Sequence, residues 1–235
     1  MIDPTLALHI PDGFLSGEVA ALAAVLALIA VAHALRVAER DLDEERVPLL
    51  GVLAAFVFAV QMLNFPIGAG TSGHLLGATL AAVLLGPWLA CVVLTVVVGV
   101  QAFLFADGGI TALGANVLNM GVLGALLAGL MVGATVRARR PTRGVFLVVV
   151  GAASWLAVMA GAAATSVQLA ASGTIGLDYG LPAMLGVHAL IGVGEAVITV
   201  AAVSAVLASR PDLVAMAPPG FAAPAPPPAG ETVRA

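Results

Sequence analysis

The chain contains 235 residues, of which 61% are hydrophobic and only 9% are charged. Soluble globular domains carry about 25% charged residues, so this composition excludes them and indicates an integral membrane protein. The apolar stretches are long and lack the strict alternation of strands, which predicts an all-α, polytopic membrane fold. The formal net charge of −4 is less informative than the positions of the charges along the chain.

Seven apolar segments in chain order predict about seven transmembrane helices. They cover residues 17–38, 48–64, 72–85, 87–106, 111–137, 144–171 and 181–209. The third segment is shorter than the roughly 17–25 residues that a spanning helix needs. We therefore expect it to form a tilted or half-buried helix that begins at the loop of His74. Gly86-Pro87 separates it from the fourth segment, since proline is tolerated in the first turn of a helix.

The positively charged residues predict the orientation in the membrane. All nine are arginines, and they follow the first, fifth and seventh segments at positions 36, 40, 46, 137, 139, 140, 143, 210 and 234. The connections near 1–16, 65–71, 107–110 and 172–180 contain none. Because cytoplasmic loops carry the excess of arginine and lysine, seven crossings would place the N-terminus outside and the C-terminus in the cytoplasm.

The two ends of the chain differ in composition from its middle. Residues 1–8 form an N-terminal extension that lacks the basic region of a signal peptide. Residues 9–210 contain all the apolar segments and form the predicted membrane domain. Residues 211–235 are rich in proline and alanine, a composition that cannot build a packed core, and we expect a disordered cytoplasmic tail.

Two glycine- and proline-rich connections each contain one histidine, His9 and His74. Both connections are predicted to lie on the outer side of the membrane, and irregular backbone at membrane depth requires a protein or polar environment. We expect the two connections to meet and the two imidazoles to hold a metal ion. Imidazole suits nickel, copper, zinc and cobalt. Two imidazoles do not complete a site, and Asp12 is the nearest additional oxygen donor in sequence.

The other two histidines have different settings. His33 lies near the cytoplasmic end of the first segment and is expected to have a structural role. His188 lies seven residues before Glu195, on roughly the same helix face, and an intramembrane carboxylate is usually paired or functional. Two interpretations stay open: a polar clamp that also includes Gln101 or Gln168, or a place along an ion path.

Five stretches strongly resemble the CbiM/NikM family, the substrate-binding membrane subunits of energy-coupling factor (ECF) transporters for cobalt and nickel. They are His-Ile-Pro-Asp-Gly-Phe-Leu at 9–15, Asn-Phe-Pro-Ile at 64–67, Gly-Thr-Ser-Gly-His-Leu-Leu-Gly at 70–77, Asp-Gly-Gly-Ile-Thr-Ala-Leu-Gly-Ala-Asn at 107–116 and Ile-Gly-Val-Gly-Glu-Ala at 191–196. The resemblance covers about residues 9–209. It implies a protein of the bacterial cell membrane that uses no cofactor and carries Co²⁺ or Ni²⁺ as its substrate.

The resemblance also implies how the metal is held. In the family the ion lies in a square-planar set of four nitrogens, and the two imidazoles correspond to His9 and His74. The other two donors are the terminal amine and the amide nitrogen of the residue at the His9 position. Asp12, Asn64, Ser72, Gln101, His188 and Glu195 are candidates for residues around the metal or along an ion path. The same nitrogens bind either ion, so the sequence does not distinguish cobalt from nickel.

The N-terminus departs from the family pattern, because eight residues precede His9. With that extension in place the terminal amine is not adjacent to His9. We expect Leu8 to be a misread start codon and Met1–Ala7 not to be made. If they are present, Asp12 is the first candidate for the missing donor.

The resemblance implies partners that supply what this chain lacks. There is no lysine in the sequence and no phosphate-binding loop, so ATP hydrolysis would come from ATP-binding subunits. A transmembrane coupling subunit and a small accessory membrane subunit are also implied, and nucleic acid is not. The alternative from another class is a rhomboid-like intramembrane serine protease with Ser72 as nucleophile and His188 as base.

Overall fold

The computed structural model describes residues 8–63, 65–68 and 71–221. Eight α-helices run in chain order: α1 (Gly17–Asp41), α2 (Val47–Gln61), α3 (Ala78–Leu85), α4 (Pro87–Phe105), α5 (Leu113–Asn116), α6 (Gly124–Arg139), α7 (Arg143–Ala171) and α8 (Leu177–Ser209). A π-helix at Val117–Leu123 joins α5 to α6 without a break, and short 3₁₀ turns lie at Glu44–Arg46 and Pro211–Leu213.

Every predicted apolar segment contains a helix, but the helices differ in length. Five stretches are long and apolar enough to cross a membrane: 17–40, 87–105, 113–139, 143–171 and 177–209. The second predicted helix, α2, has 15 residues, and the third, α3, has only eight. The chain is therefore a multi-pass membrane protein built on five long helices and two shorter ones.

A small antiparallel hairpin lies between two helices of this otherwise helical fold. Strand β1 (Phe65–Gly68) pairs with strand β2 (Thr71–Gly73) in the connection between α2 and α3. The predicted second and third segments ran into this connection, to 64 and from 72, whereas α2 ends at Gln61 and α3 begins at Ala78. Pro66 and the glycines of this stretch oppose helix, because proline lacks an N–H and glycine gains the most freedom outside a helix.

Helix α3 lies at the centre of the molecule. All eight of its side chains are buried, and it packs against α4, α6, α7 and α8. Small residues permit this close approach: a Cβ atom added to Gly124 would lie 2.9 Å from the Cβ atom of Ala78. Dense packing of small residues is the usual way in which helices associate inside a membrane.

Two asparagines in and next to the π-helix point in different directions. Asn119 exchanges two hydrogen bonds with Gln168 of α7, at 2.7 and 2.8 Å. Gln168 is thus paired with Asn119, and the sequence-based suggestion that it joins a clamp with His188 and Glu195 is wrong. Asn116, at the end of α5, instead reaches the N-terminal segment described below. Single π-turns inside α-helices frequently occur at functional sites.

The chain after α8 folds back under α3. The backbone N–H groups of Ala215 and Met216 donate to the carbonyl oxygens of Leu84 and Val83, at 3.2 and 3.1 Å. Further on, Phe221 packs edge-to-face on Phe146 of α7. We call residues 211–221 the C-terminal strap. The ordered chain therefore continues past residue 210, the boundary predicted from composition; residues 222–235 lie outside the described part.

Candidate metal site

The N-terminal segment is held by its backbone beside the π-helix. The N–H of Ile10 donates to Oδ1 of Asn116 at 2.8 Å, and Nδ2 of Asn116 donates back to the carbonyl oxygen of Ile10 at 3.1 Å. The N–H of Gly109 also donates to that carbonyl oxygen, at 2.8 Å. Leu8, on the other side of His9, is completely buried. His9 is therefore fixed between two anchored neighbours; residues 1–7 lie outside the described part of the chain.

The loop of His74 is held by a carboxylate from α8. Glu195 accepts hydrogen bonds from the backbone N–H groups of Leu76 and Gly77, at 2.8 and 2.7 Å. These groups open α3, where a helix leaves N–H groups unpaired and favours negative charge. Nε2 of Gln61 donates to the carbonyl oxygen of Leu76 at 2.7 Å. Gly77 has a φ of +74°, a left-handed conformation that favours glycine.

The two histidine rings come together as expected, with ring centroids 4.7 Å apart and an interplanar angle of 63°. Both side chains are buried. Nδ1 of His74 lies 2.9 Å from the carbonyl oxygen of Leu75 and donates to it, which leaves Nε2 with a free lone pair. Nε2 of His74 and both ring nitrogens of His9 have no hydrogen-bond partner among the described residues. Histidines that bind metals commonly donate their other ring N–H in this way.

Burial keeps both rings neutral at physiological pH. It lowers the pKa of His9 to about 4. Burial, followed by the neighbouring His9 ring, lowers the pKa of His74 to about 3. Neutral imidazole is the form that binds a metal ion, so both rings are ready to do so without losing a proton.

Of the two nearby acidic residues, Asp107 faces His9 and Asp12 does not. Oδ1 of Asp12 accepts from the backbone N–H and the hydroxyl of Thr111, at 2.7 and 2.5 Å. The Asp12 side chain is exposed, and these hydrogen bonds lower its pKa. Oδ1 of Asp107 lies 3.8 Å from Nδ1 of His9, and partial burial raises the Asp107 pKa. In this arrangement Asp12 orders the loop before α5 and does not point at the histidines.

The sequence did not single out Asp107 or Asn116 as site residues, although both lie in the Asp-Gly-Gly-Ile stretch that carries the family resemblance. Their role depends on contacts across about 100 residues, between this stretch and residues 9 and 10. The sequence feature that could have indicated Asp107 is its isolation: it is the one acidic residue of the stretch 107–116, where most residues are apolar or small.

His188 and Glu195 do not form the predicted clamp. Nδ1 of His188 lies 2.7 Å from the carbonyl oxygen of Met184, one turn earlier in α8. Glu195 binds the start of α3 instead, since its position two turns further along α8 brings it level with that helix end. Gln101 is buried, and its side chain makes no hydrogen bond to any described residue.

Of three other residues considered from the sequence, only His33 has a described side chain. Asn64 and the side chain of Ser72 lie outside the described part of the structure. His33 is exposed and packs edge-to-face on Trp88, with ring centroids 4.4 Å apart, which agrees with a structural role. Within the described ranges, no three His, Cys, Asp or Glu side chains converge closely enough to hold an ion by themselves.

Comparison with known proteins identifies the chain's relatives. Residues 9–213 match the family model CbiM, described as the cobalt uptake substrate-specific transmembrane region. A protein of Haloquadratum walsbyi, provisionally named a metal transport protein, is 39% identical over 88% of this chain and 93% of its own length. The fused nickel transport protein NikMN of Rhodobacter capsulatus is 36% identical over 88% of this chain and 64% of its own length.

Solved structures give the same result. A crystal structure of a truncated transition metal transporter is 33% identical, with a TM-score of 0.77 over 85% of this chain and 98% of that chain. A second transition metal transporter is 30% identical, with a TM-score of 0.78 over 87% and 96% of the two chains. These relatives are transport proteins and not enzymes, and none of them supports the serine-protease alternative. The chain therefore belongs to the CbiM family of membrane proteins for cobalt and nickel transport.

Proposed function

We propose that this chain is the substrate-capturing membrane subunit of an ECF-type importer and that it binds Co²⁺ or Ni²⁺ through His9 and His74. The observation that carries the proposal is the pair of buried, neutral imidazoles, which present three ring nitrogens without partners in the described structure. A buried polar atom without a partner is costly. A bound metal ion would satisfy one of these nitrogens on each ring.

The donor chemistry supports a borderline transition metal. Imidazole suits nickel and cobalt, whereas magnesium and calcium prefer oxygen ligands. Two imidazoles leave further positions to be filled. The family resemblance implies the amide nitrogen of residue 9, which adjoins the Ile10 backbone that Asn116 holds. It also implies a terminal amine, which adjoins His9 only in a chain that starts at Leu8. The metal would then lie between this segment and the loop that Glu195 holds.

The assembly also belongs to the proposal. The chain has no phosphate-binding loop, so a transport cycle driven by ATP needs ATP-binding subunits and a transmembrane coupling subunit. The name of the Rhodobacter capsulatus relative describes a fused transport protein that is longer than this chain, which supports partnership with other components. We further propose a bacterial plasma membrane location with seven crossings, the N-terminus outside and the C-terminus in the cytoplasm, because the arginine clusters alternate in this way.

Binding isotherms for Ni²⁺ and Co²⁺ on the purified protein test the proposed site. We expect His9→Ala and His74→Ala each to lower the affinity by at least 10–100-fold, the loss that changes around a metal site already produce. His33→Ala is the matched control, since His33 packs on Trp88 and lies outside the site. Unchanged affinity in His74→Ala would remove the basis of the proposal.

A further inference from the structure

The loop after α4 holds an acidic side chain against the histidine pair. Oδ1 of Asp107 lies 3.8 Å from Nδ1 of His9, and its other oxygen, Oδ2, is buried without a hydrogen-bond partner among the described residues. The distance is too long for a hydrogen bond, and His9 is neutral. The carboxylate thus lies close to the histidine pair but makes no hydrogen bond to it.

Among the described residues, no cationic side chain lies in the connections around this charge. The chain has no lysine, and none of its nine arginines lies in the connections that meet here, residues 8–16, 74–77, 106–112 and 172–176. The one arginine–carboxylate ion pair that the described residues make, Arg210 with Asp212, lies at the C-terminal end of α8. Partly buried charges are normally paired or bound to metal ions, so the position of Asp107 calls for a cation that the polypeptide does not provide.

The backbone is shaped to hold Asp107 in this place. Ala106, immediately before it, has a φ of +53°, which is uncommon for a residue other than glycine. Gly108, immediately after it, has a φ of +91°, and a Cβ atom there would lie 3.0 Å from Nδ2 of Asn116 and 3.2 Å from Nδ1 of His9. Two left-handed residues thus turn the chain sharply on either side of Asp107 and press the loop against His9. Local strain of this kind tends to occur at functional sites.

We propose that Asp107 is the fixed anion of the metal site: its carboxylate faces the bound divalent cation and neutralises part of its charge without coordinating it. This inference rests on the proposed function of His9 and His74. Asp107 would act as a positioning and charge-balancing residue and not as a fifth ligand. A carboxylate a few ångströms from a dication in a partly buried site interacts strongly with it, so its presence favours divalent ions and speeds their capture.

The test compares two carboxylates of the same chain. Asp107→Asn keeps the shape and removes the charge, and we expect a 10–100-fold lower affinity for Ni²⁺ and Co²⁺, the range found for groups that surround a metal without binding it. Asp178→Asn is the matched control, because Asp178 is an exposed carboxylate in the first turn of α8 and is not part of the proposed site. It should bind metal like the unmodified protein. Asp107→Glu, which retains the charge, should stay within a few-fold of the unmodified affinity.

The outcomes separate this inference from the proposed function. Loss of binding in His74→Ala with full binding in Asp107→Asn would overturn the role of Asp107 alone. Equal losses in Asp107→Asn and Asp107→Glu would overturn it as well, since they would show that loop shape matters and charge does not. A changed visible spectrum of bound Co²⁺ at saturation in Asp107→Asn would identify a direct ligand and contradict an anion that does not coordinate. Full binding in His74→Ala would instead contradict the proposed function itself.

Discussion

Glu195 is an acidic residue inside the apolar helix α8, and its hydrogen bonds explain how it is tolerated there. A carboxylate in the apolar α8 would be costly by itself, but both of its oxygens accept backbone N–H groups at the start of α3. The sequence indicated that this glutamate must have a partner. One of the two interpretations paired it with His188, because seven-residue spacing places the two on one helix face. The loop that binds Glu195 is 118–119 residues away in the sequence.

Glu195→Gln should weaken this anchor. The amide oxygen can accept from the two N–H groups less strongly than a charged carboxylate, and the amide N–H₂ introduces donors where acceptors are needed. We expect a loss of about 1–3 kcal/mol in the free energy of unfolding, measured by thermal unfolding in detergent, and a metal affinity less than tenfold lower because the His74 loop loosens.

Thr199→Val is the control for Glu195→Gln. It removes a neutral hydrogen bond, 3.2 Å long, that the hydroxyl of Ser154 in α7 donates to Thr199, which lies one turn after Glu195 in α8. This variant should keep its metal affinity. A Glu195→Gln protein as stable as the unmodified protein would show that the anchor contributes nothing.

The histidine pair also predicts how the metal-free protein responds to acid. In the unfolded chain both rings titrate near 6.5, whereas in the folded protein the pKa is about 4 for His9 and about 3 for His74. Between these values the unfolded state binds more protons, so stability is fully present above pH 6.5 and is lost as the pH falls towards 4 and 3. Melting temperatures from pH 7 to pH 4 measure this effect.

A double variant, His9→Ala with His74→Ala, provides the control for the acid response. Its melting temperature should change less with pH than that of the unmodified protein over the same range, because the two histidines with lowered pKa values are absent. An unmodified protein whose melting temperature does not change between pH 7 and pH 5 would contradict the burial of these rings as neutral groups.

At the scale of single elements, α3 begins and ends at glycines with positive φ that differ in their surroundings. Gly77 at its start has the left-handed helical conformation (φ +74°, ψ −3°), in which alanine costs about 1–2 kcal/mol. Gly86 at its end has φ +89° and ψ +156°, a region essentially restricted to glycine. A Cβ atom at Gly77 would also lie 2.9 Å from Val57, whereas a Cβ atom at Gly86 would meet nothing within 4 Å. Both alanine variants should therefore lower the melting temperature, Gly77→Ala through strain and a steric contact and Gly86→Ala through backbone strain alone.

The two glycine variants should also differ in metal affinity. Gly77 lies three residues after His74, and its N–H is one of the two that Glu195 holds, so Gly77→Ala should weaken metal binding. Gly86→Ala lies at the opposite end of α3 and should not. Equal losses of metal affinity in the two variants would contradict a specific effect at the end of α3 that adjoins His74.

The sequence predicted the long helices of this fold better than its short elements. Apolar length identified α4, α7 and α8 directly, because a membrane-spanning helix needs a long uncharged stretch. The hairpin at 65–73 and the late start of α3 were not predicted. A few residues rich in glycine and proline indicate a break in a helix but do not say how the chain fills it, since the pairing of β1 with β2 depends on the helices on either side.

At the scale of the whole molecule, the predicted orientation follows from nine arginines and can be tested directly. The buried Cys91 is first replaced by alanine, and single cysteines are then introduced at Ser72, Thr174 and Thr142. With an N-terminus outside and seven crossings, an impermeant thiol reagent added to intact cells should label positions 72 and 174. Position 142 should react only after the membrane is opened. External labelling at position 142 would contradict the arrangement.

The C-terminal strap has a practical consequence for anyone who shortens or tags this protein. Its backbone N–H groups supply partners for two carbonyl oxygens at the end of α3, a helix only about 12 Å long at 1.5 Å per residue. Glu195 secures the other end of the same helix, next to His74. A stop codon after Arg210 would remove the hydrogen bonds from the strap to α3. A stop codon after Phe221 would leave both these bonds and those of Glu195 in place. Purification handles and fluorescent fusions therefore belong beyond residue 221, where they leave the support of the metal loop intact.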